Sequence, residues 1–540
     1  MSDARTIRWL AIAPAALAAG LSLHPVPALL GLGRGLGGGV APQAAAAPPN
    51  VLFVCIDTLR ADRLGCYGYA RKTSPNLDRL AARGQRFERA YGTAPWTLPS
   101  TASLLTGLLP ELHRATNFAA PVSPDAELLA ERLAAAGYDS AAFVGNYFVQ
   151  PIFGLAKGFA ACNGDCSVDR TGVNSDKISD GALTWLAQKR EKPFFLYLHY
   201  FDPHYNYIEH EGFTFGGEDS DRVYSGADIY DLREGEKQFT DADRFRLSSL
   251  YDSEVAFTDH HLGRVFAKLD ELGLTGKTLI VVTADHGEAL AEHGWIGHTL
   301  QLYEESVRVP LIVAGPGVAS EVVPAAKPRQ GDQAERDLLA RLGLKTEEHP
   351  RGLLGEEEML ISVDTVGIDE PAEVKRPKAV KSEPWKLLVD TDALGVDSYR
   401  IFKMDEPKGK RKKDPADYPE VVKELVARRE QLYEQRLKDR DRHAQAMTRR
   451  RALIDGSWKL IVDEIEGGCE LYDLAADPHE QRDLAQENPE TKARVAAMKE
   501  RLAAVLADLR ARARRDADPI SIEALEAFRK KLEATGYASK

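Results

Sequence analysis

The sequence predicts an α/β protein with a doubly wound, largely parallel sheet, followed by a smaller C-terminal α+β region. Short apolar runs alternate with amphipathic helical segments over residues 49–345, and this alternation favours a sheet with helices on both faces. After about residue 345 the pattern changes to aromatic strands and charged helices. A chain of 540 residues, 44% of them hydrophobic, can form one large and one small domain.

Four apolar segments in the first region have the length and composition of buried parallel strands. They are NVLFVCID from residue 50, DSAAFVG from 139, PFFLYLHYFD from 193 and TLIVVTADHG from 278. Four segments between or beside them predict helices, namely SPNLDRLAARG (74–84), AELLAERLAAAGY (126–138), DGALTWLAQKR (180–190) and DSEVAFTDHHLGRVFAKLDELG (252–273).

Three of these strands end in polar residues. Asp57 follows the first, His199 to His204 end the third, and Asp285 with His286 follows the fourth. Because binding sites of open α/β sheets lie at the carboxyl ends of the strands, these side chains should converge. Carboxylate and imidazole donors suit Zn²⁺ or Mn²⁺, and Ca²⁺ less well, so we expect a divalent metal at Asp57, Asp285 and His286.

Thr97, in the stretch TLPST, allows two interpretations. A metal ion could activate its hydroxyl as a nucleophile, or the residue could simply cap a helix. Pro99 suits a first helical turn, and a helix that begins here would offer partial positive charge to a bound phosphoryl or sulfuryl group.

His204 and His298 are the other catalytic candidates. Each could bind the anionic oxygens of an ester, protonate a leaving group or help to hold a second metal. Weaker candidates for substrate binding are Arg60, His199 and Asp202. Arg60 could instead pair with Asp57 or Asp62 and fix its loop.

The region 346–540 contains two similar units, KAVKSEPWKLLVD (378–390) and RALIDGSWKLIVD (451–463), each followed by an aromatic strand and a charged helix. We interpret this as a partial internal duplication, although short repeats are weak signals. Residues 401–451 carry 16 Lys and Arg against 10 Asp and Glu. This stretch could attract a membrane surface or an anionic glycan, or be the solvated face of a helix.

The N-terminal 48 residues predict a targeting segment and linker. Two arginines precede the apolar run WLAIAPAALAAGLSL, and an Ala-rich stretch follows, as in a secretory signal peptide. A retained membrane anchor is the alternative. Either implies an exported, periplasmic or extracellular protein, in which CNGDC (162–166) could form a small disulfide loop.

These motifs together resemble the sulfatase family of the alkaline phosphatase superfamily. The segments that carry the resemblance are PNVLFVCIDTLRADRLGCYGY, APWTLPSTASLLTGLLP, LHYFDPHYNY, VVTADHGEALAEHGWIGH and LYEESVRVPLIVAGPGV. The resemblance implies an alkaline-phosphatase-like fold, metal ligation by Asp57, Thr97, Asp285 and His286, and a substrate side with His204 and His298.

The same resemblance shows where this chain departs from the family pattern. Sulfatases convert a Cys or Ser to formylglycine within a Cys/Ser-x-Pro-x-Arg signature. Here Thr97 stands in place of that Cys or Ser, and Thr101 in place of the arginine. We therefore expect no formylglycine, since oxidation of threonine would give a ketone. The pattern looks closer to superfamily members with an unmodified threonine, such as phosphodiesterases and phosphoethanolamine transferases.

The sequence thus predicts a metal-dependent ester hydrolase or group transferase that acts on phosphoric mono- or diesters through Thr97. One alternative is a sulfuric ester hydrolase that uses the unmodified threonine. Another is a non-catalytic envelope protein that binds anionic glycans or lipids. The net charge of −12 argues against a nucleic-acid partner.

Overall fold

The structure of the protein is a computed structural model. It describes residues 47–117, 120–163, 174–204, 207–216, 240–346, 448–465 and 467–514, with shorter stretches between 351 and 427 and a few positions after 514. The predicted targeting segment and Cys166 lie outside the described residues, as does most of the basic stretch 401–451. Within the described part of the chain, we find no helix with the length and apolar character needed to cross a membrane.

The strands, in chain order, are β1 (Asn50–Ile56), β2 (Gln85–Phe87), β3 (Ala90–Tyr91), β4 (Asp139–Val144), β5 (Ala161–Asn163), β6 (Phe194–Tyr200), β7 (Thr278–Thr283), β8 (Ala289–Leu290), β9 (Ile296–Gly297), β10 (Arg308–Val309), β11 (Leu311–Ala314), β12 (Glu321–Val323), β13 (Arg329–Gln330), β14 (Met359–Thr365), β15 (Ala379–Ser382), β16 (Trp385–Thr391), β17 (Asp397–Lys403), β18 (Lys412–Lys413), β19 (Thr448–Asp455), β20 (Trp458–Asp463) and β21 (Cys469–Asp473). The α-helices are Pro75–Ala82, Thr97–Thr106, Pro110–His113, Leu129–Ala135, Ser175–Leu186, Asp241–Glu271, Glu304–Val307, Gly331–Arg341 and Pro489–Ala511.

An eight-stranded sheet organises the first region, with the strand order β12-β2-β11-β7-β1-β6-β4-β5. The five strands from β7 to β5 are parallel, whereas β11 runs antiparallel to both of its neighbours. Every residue of β6 and β7, and all but the first of β1, is buried. Strands buried on both faces need helices on both sides, so the predicted α/β class is confirmed.

Two predicted helices begin earlier than their sequence patterns indicate. The helix Asp241–Glu271 starts eleven residues before the predicted Asp252, because Thr240 and Asp243 exchange capping hydrogen bonds of 3.2 and 2.9 Å. The helix Ser175–Leu186 starts before Asp180 because its first amide donates to the distant Asp202 carboxylate at 2.9 Å. A cap supplied by another segment leaves no local sequence signal.

Two four-stranded antiparallel sheets form the C-terminal region, in the orders β14-β19-β20-β21 and β15-β16-β17-β18. Each WKL(L/I)VD unit is the second strand of an antiparallel hairpin, in which Ser382 pairs with Trp385 and Asp455 pairs with Trp458. A third antiparallel strand follows each unit. The two units therefore share a topology, while the duplication and the boundary at 346 stay predictions.

A buried ion-pair network joins the C-terminal sheet to the first region. Lys459 on β20 is fully buried and contacts Glu480 at 2.8 Å and Glu304 at 3.2 Å. His293 donates to the Glu305 carboxylate at 2.8 Å, and its other ring nitrogen donates to the Glu480 carbonyl at 3.1 Å. This network therefore bridges β20 and the loop that carries His293.

The substitution Lys459→Ala should destabilise the protein by about 3–5 kcal/mol, because it leaves the buried Glu480 carboxylate and the partly buried Glu304 carboxylate without their cation. The free energy of unfolding from equilibrium urea denaturation measures this change. Lys423 is the matched control, since its ion pair with Glu420 is exposed, and Lys423→Ala should stay within about 0.5 kcal/mol of wild type. Equal effects of the two substitutions would contradict the prediction.

The His293 ion pair should make stability depend on pH. Burial lowers the pKa of His293, but the Glu305 carboxylate and the Glu480 carbonyl outweigh it and raise the pKa from 6.5 to about 9. A folded-state pKa above the unfolded value gives a stability contribution that is complete below pH 6.5 and is lost as the pH rises through 9.

We therefore expect the loss of unfolding free energy in His293→Asn to be largest at pH 6 and to shrink as the pH approaches 10. Urea denaturation of wild type and variant across this range measures it. In a Glu305→Gln background most of this pH dependence should disappear. A loss that is constant over the range would show that the charge on His293 contributes nothing.

Candidate active site

Asp57, Asp285 and His286 come together at the carboxyl edge of the parallel sheet. Asp57 follows β1, and Asp285 with His286 follows the neighbouring strand β7. The His286 Nε2 atom lies 3.4 Å from Asp57 Oδ1 and 3.6 Å from Asp285 Oδ2, and all three side chains are fully buried. Residues 228 positions apart are thus neighbours because their strands pair in register.

The backbone fixes which nitrogen of His286 faces the carboxylates. The Nδ1 atom lies 2.9 Å from the Gly287 carbonyl, which only accepts hydrogen bonds, so Nδ1 carries the proton. The Nε2 lone pair is then directed at Asp57 and Asp285. Gly287 itself has no room for a side chain, since a Cβ atom there would overlap the Glu305 carbonyl.

Two carboxylate oxygens of this cluster have no hydrogen-bond partner among the described residues, Asp57 Oδ1 and Asp285 Oδ2. Burial raises the pKa of Asp57 well above its ordinary value, and the nearby Asp285 carboxylate raises it further. Burial also opposes ionisation of Asp285, whose Oδ1 accepts hydrogen bonds from the amides of Thr58 and His286 at 3.3 and 2.9 Å.

Buried charges of like sign require a compensating cation. The unpartnered oxygens and the His286 lone pair converge within a single ligand cluster, which fits a divalent ion bound through oxygen and nitrogen. Asp57, Asp285 and His286 are therefore suited to hold the metal, while the choice among Zn²⁺, Mn²⁺ and Ca²⁺ stays a prediction.

Thr97 is the first residue of the helix Thr97–Thr106, and its N-cap is Trp96, which makes no side-chain cap. The Thr97 Oγ1 atom does not cap the helix but lies 3.4 Å from His286 Nε2. Ser100 fixes the turn, because its hydroxyl donates to the Ala94 carbonyl and accepts from the Ala94 amide. The local fold therefore directs the hydroxyl of Thr97 toward the metal ligands.

Asn146 belongs to the site but was not among the predicted residues. Its Nδ2 donates a short hydrogen bond to Asp57 Oδ2 and lies 3.3 Å from Thr97 Oγ1. Asn146 follows β4, two residues after the strand ends. The rule that polar residues gather at strand carboxyl ends could have found it.

His298 and His204 complete one side of the site. The His298 ring centre lies 4.5 Å from that of His286 and 4.8 Å from that of His204. The Nδ1 atom of His298 donates to the buried Glu288 carboxylate at 3.0 Å, so Nε2 is the atom that can exchange a proton with substrate. Glu288, three residues after Asp285, was also missed by the sequence analysis.

The three weaker candidates have different surroundings. The Arg60 guanidinium forms ion pairs with Asp62 and Glu292. These contacts fit the alternative role predicted for Arg60, which is to fix its loop. Asp202 accepts hydrogen bonds from the amide and hydroxyl of Ser175. His199 is fully buried, with Nε2 3.8 Å from Asp285 Oδ2. None of the three contacts Thr97 through a described hydrogen bond or ion pair.

Known proteins share this architecture. The family model for sulfatases matches residues 49–341. An arylsulfatase of Clostridium perfringens is 25% identical over 335 residues, which cover 50% of this chain and 69% of that protein. A multifunctional alkaline phosphatase superfamily protein of Trinickia caryophylli is 26% identical, over 50% of this chain and 68% of its own.

Solved structures agree with the fold. A phosphonate monoester hydrolase of Agrobacterium radiobacter superposes with a TM-score of 0.59 at 19% identity, covering 85% of this chain and 96% of that one. A 2-O GAG sulfatase superposes with a TM-score of 0.58 at 17% identity, covering 86% and 92%. With a family match over more than half of its length, the chain belongs to the sulfatase family, and it is an ester hydrolase of the alkaline phosphatase superfamily.

Proposed function

We propose that the protein cleaves or transfers phosphoric mono- or diesters through an unmodified Thr97, with a divalent metal at Asp57, Asp285 and His286. One observation supports this best. The Thr97 hydroxyl lies at the start of a helix, 3.4 Å from His286 Nε2 and beside two buried carboxylates, each with one oxygen that has no hydrogen-bond partner among the described residues. A threonine in that position can act as a nucleophile without oxidation.

The residues around Thr97 would prepare it for attack. A bound divalent ion supplies a Lewis acid that favours the alkoxide and offsets the charge of the ester. Asn146 holds both Asp57 and the Thr97 oxygen in place through one amide group. The ten-residue helix that begins at Thr97 directs the positive end of its dipole toward a bound phosphoryl group.

In the first half of the reaction the Thr97 hydroxyl loses its proton to water, its Oγ1 bonds to phosphorus, and the bond from phosphorus to the leaving oxygen breaks. The electron pair departs with that oxygen, which takes a proton from His298 Nε2, while Glu288 stabilises the charged imidazole through Nδ1. Water then cleaves the Thr97 ester in hydrolysis, or an acceptor alcohol does so in transfer. His204 lies close enough to His298 to serve as an alternative donor.

The second candidate function is sulfuric ester hydrolysis by the same unmodified threonine. The observation that favours it is the family itself, since the relative from Clostridium perfringens is described as an arylsulfatase. Rates on an aryl sulfate, an aryl phosphate monoester and an aryl phosphodiester, measured side by side, separate the two candidates. Our proposal requires a phosphoric ester to be the best of the three.

Thr97→Ala should abolish the covalent intermediate and lower turnover of a chromogenic phosphodiester by about 10³-fold or more, because it removes the nucleophile. Intact-mass analysis of the wild type during turnover of the diester should show an adduct that keeps the second ester group on phosphorus, and peptide mapping should place it on Thr97. The matched control is Thr106→Ala at the other end of the same buried helix, which should keep the adduct. Full activity of Thr97→Ala on every ester would refute the mechanism.

Asn146→Ala should lower metal affinity and turnover by about 10–100-fold, because Asp57 and Thr97 lose the amide that orients them. Metal titration and kcat on the best ester measure the two effects. Asn76→Ala is the control, since Asn76 binds Asp259 in a different part of the fold. If both variants kept wild-type metal affinity and turnover, the assigned role of Asn146 would be wrong.

A further inference from the structure

A second group of donor side chains lies next to the first one, on the same face of the sheet. Cys55 on β1 pairs with His199 on β6 and with Thr283 on β7. Asp285 follows Thr283 by two positions, and side chains two positions apart in a strand share a face. The strand register thus brings a thiol, an imidazole and a carboxylate together under the Thr97 site.

Several polar atoms of this group have no hydrogen-bond partner among the described residues. Cys55, His199 and Asp285 are fully buried. Among the described residues, neither ring nitrogen of His199 has a hydrogen-bond partner, and neither does Asp285 Oδ2. A buried imidazole usually makes at least one hydrogen bond, because an unpaired buried polar group destabilises the fold. The ring nitrogens of His199 and the Oδ2 atom of Asp285 are therefore available, together with the nearby Cys55 thiol, to bind a metal ion.

The distances fit one small cation. Single ligand atoms from Cys55, His199 and Asp285 all lie within 4.8 Å of one another, and His199 Nε2 is 3.8 Å from Asp285 Oδ2. Bonds of about 2.0–2.3 Å to a tetrahedral Zn²⁺ place its ligands roughly 3.3–3.8 Å apart. We propose that Cys55, His199 and Asp285 form a second metal site, selective for Zn²⁺ or Co²⁺ through its thiolate and imidazole ligands.

Asp285 would then bridge two ions, because its Oδ2 faces both His286 Nε2 at 3.6 Å and His199 Nε2 at 3.8 Å. Ions that share such a ligand lie about 3.5–4 Å apart in two-metal enzymes. This inference rests on the proposed function only through the shared Asp285. The second ion would hold that carboxylate in position and would contact no substrate, since its ligands are fully buried.

The test uses the full chain, stripped of metal with a chelator, reloaded with Co²⁺ and freed of unbound ion. We expect the wild type to retain two equivalents of cobalt, measured by elemental analysis, and to show a sulfur-to-cobalt charge-transfer absorption. Zinc-loaded wild type should show a sulfur neighbour at about 2.3 Å in X-ray absorption. This last measurement needs no variant and therefore does not depend on the folding of one.

Cys55→Ser and His199→Gln should each retain one equivalent of cobalt, and Cys55→Ser should lose the charge-transfer absorption. Cys66→Ser is the matched control, because Cys66 lies outside both donor groups, and it should behave as wild type. Asp57→Asn should lose the first ion and ester turnover but keep the sulfur absorption. That pattern separates the second site from the first.

One equivalent of cobalt in the wild type, without sulfur absorption and unchanged in Cys55→Ser, would overturn the inference. His199 would then act only as a hydrogen-bond donor to Asp285. The wild type could instead retain two equivalents of cobalt and show the sulfur-to-cobalt absorption, but turn over no phosphoric ester. That result would contradict the proposed function and would still support the second metal site.

Discussion

The arrangement of the candidate site depends on two carboxylates, Asp57 and Asp285, which are buried at the same edge of a parallel sheet. Each has an oxygen without a partner among the described residues. Burial raises the pKa of Asp57, and repulsion from the Asp285 carboxylate raises it further. A folded protein tolerates such a pair when a cation compensates it. The orientation of His286, the position of Thr97 and the amide of Asn146 all serve this one arrangement.

The surrounding loops hold that arrangement through ordinary hydrogen bonds and ion pairs. Arg60 ties the loop after β1 to Glu292 in the loop after β7. Glu305 holds His293, and Glu480 joins the same loop to Lys459 in the C-terminal sheet. Residues of the C-terminal region therefore help to hold the loop that carries His293.

Sequence patterns predicted the central fold because buried parallel strands are continuous apolar runs, and β1, β6 and β7 are uninterrupted ones. The same patterns identified Asp57, Asp285 and His286 because these residues directly end such runs. Asn146 was missed because the predicted strand segment was ended at Gly145, one residue before it, and Glu288 because its partner His298 is recognisable only in three dimensions. The start of the helix at Ser175 depends on Asp202, a cap from another segment that no local pattern reveals.

The family assignment favours a sulfate ester, because the relative from Clostridium perfringens is described as an arylsulfatase. The chemistry of Thr97 favours a phosphoric ester, because its unmodified hydroxyl can accept a phosphoryl group. A crystal structure of the metal-loaded protein with vanadate, recorded with anomalous scattering, tests the central claim most directly. We predict an anomalous peak among Asp57, Asp285 and His286, and vanadium bonded to Thr97 Oγ1. The absence of an anomalous peak among these three residues, or vanadate that makes no bond to Thr97, would contradict the account.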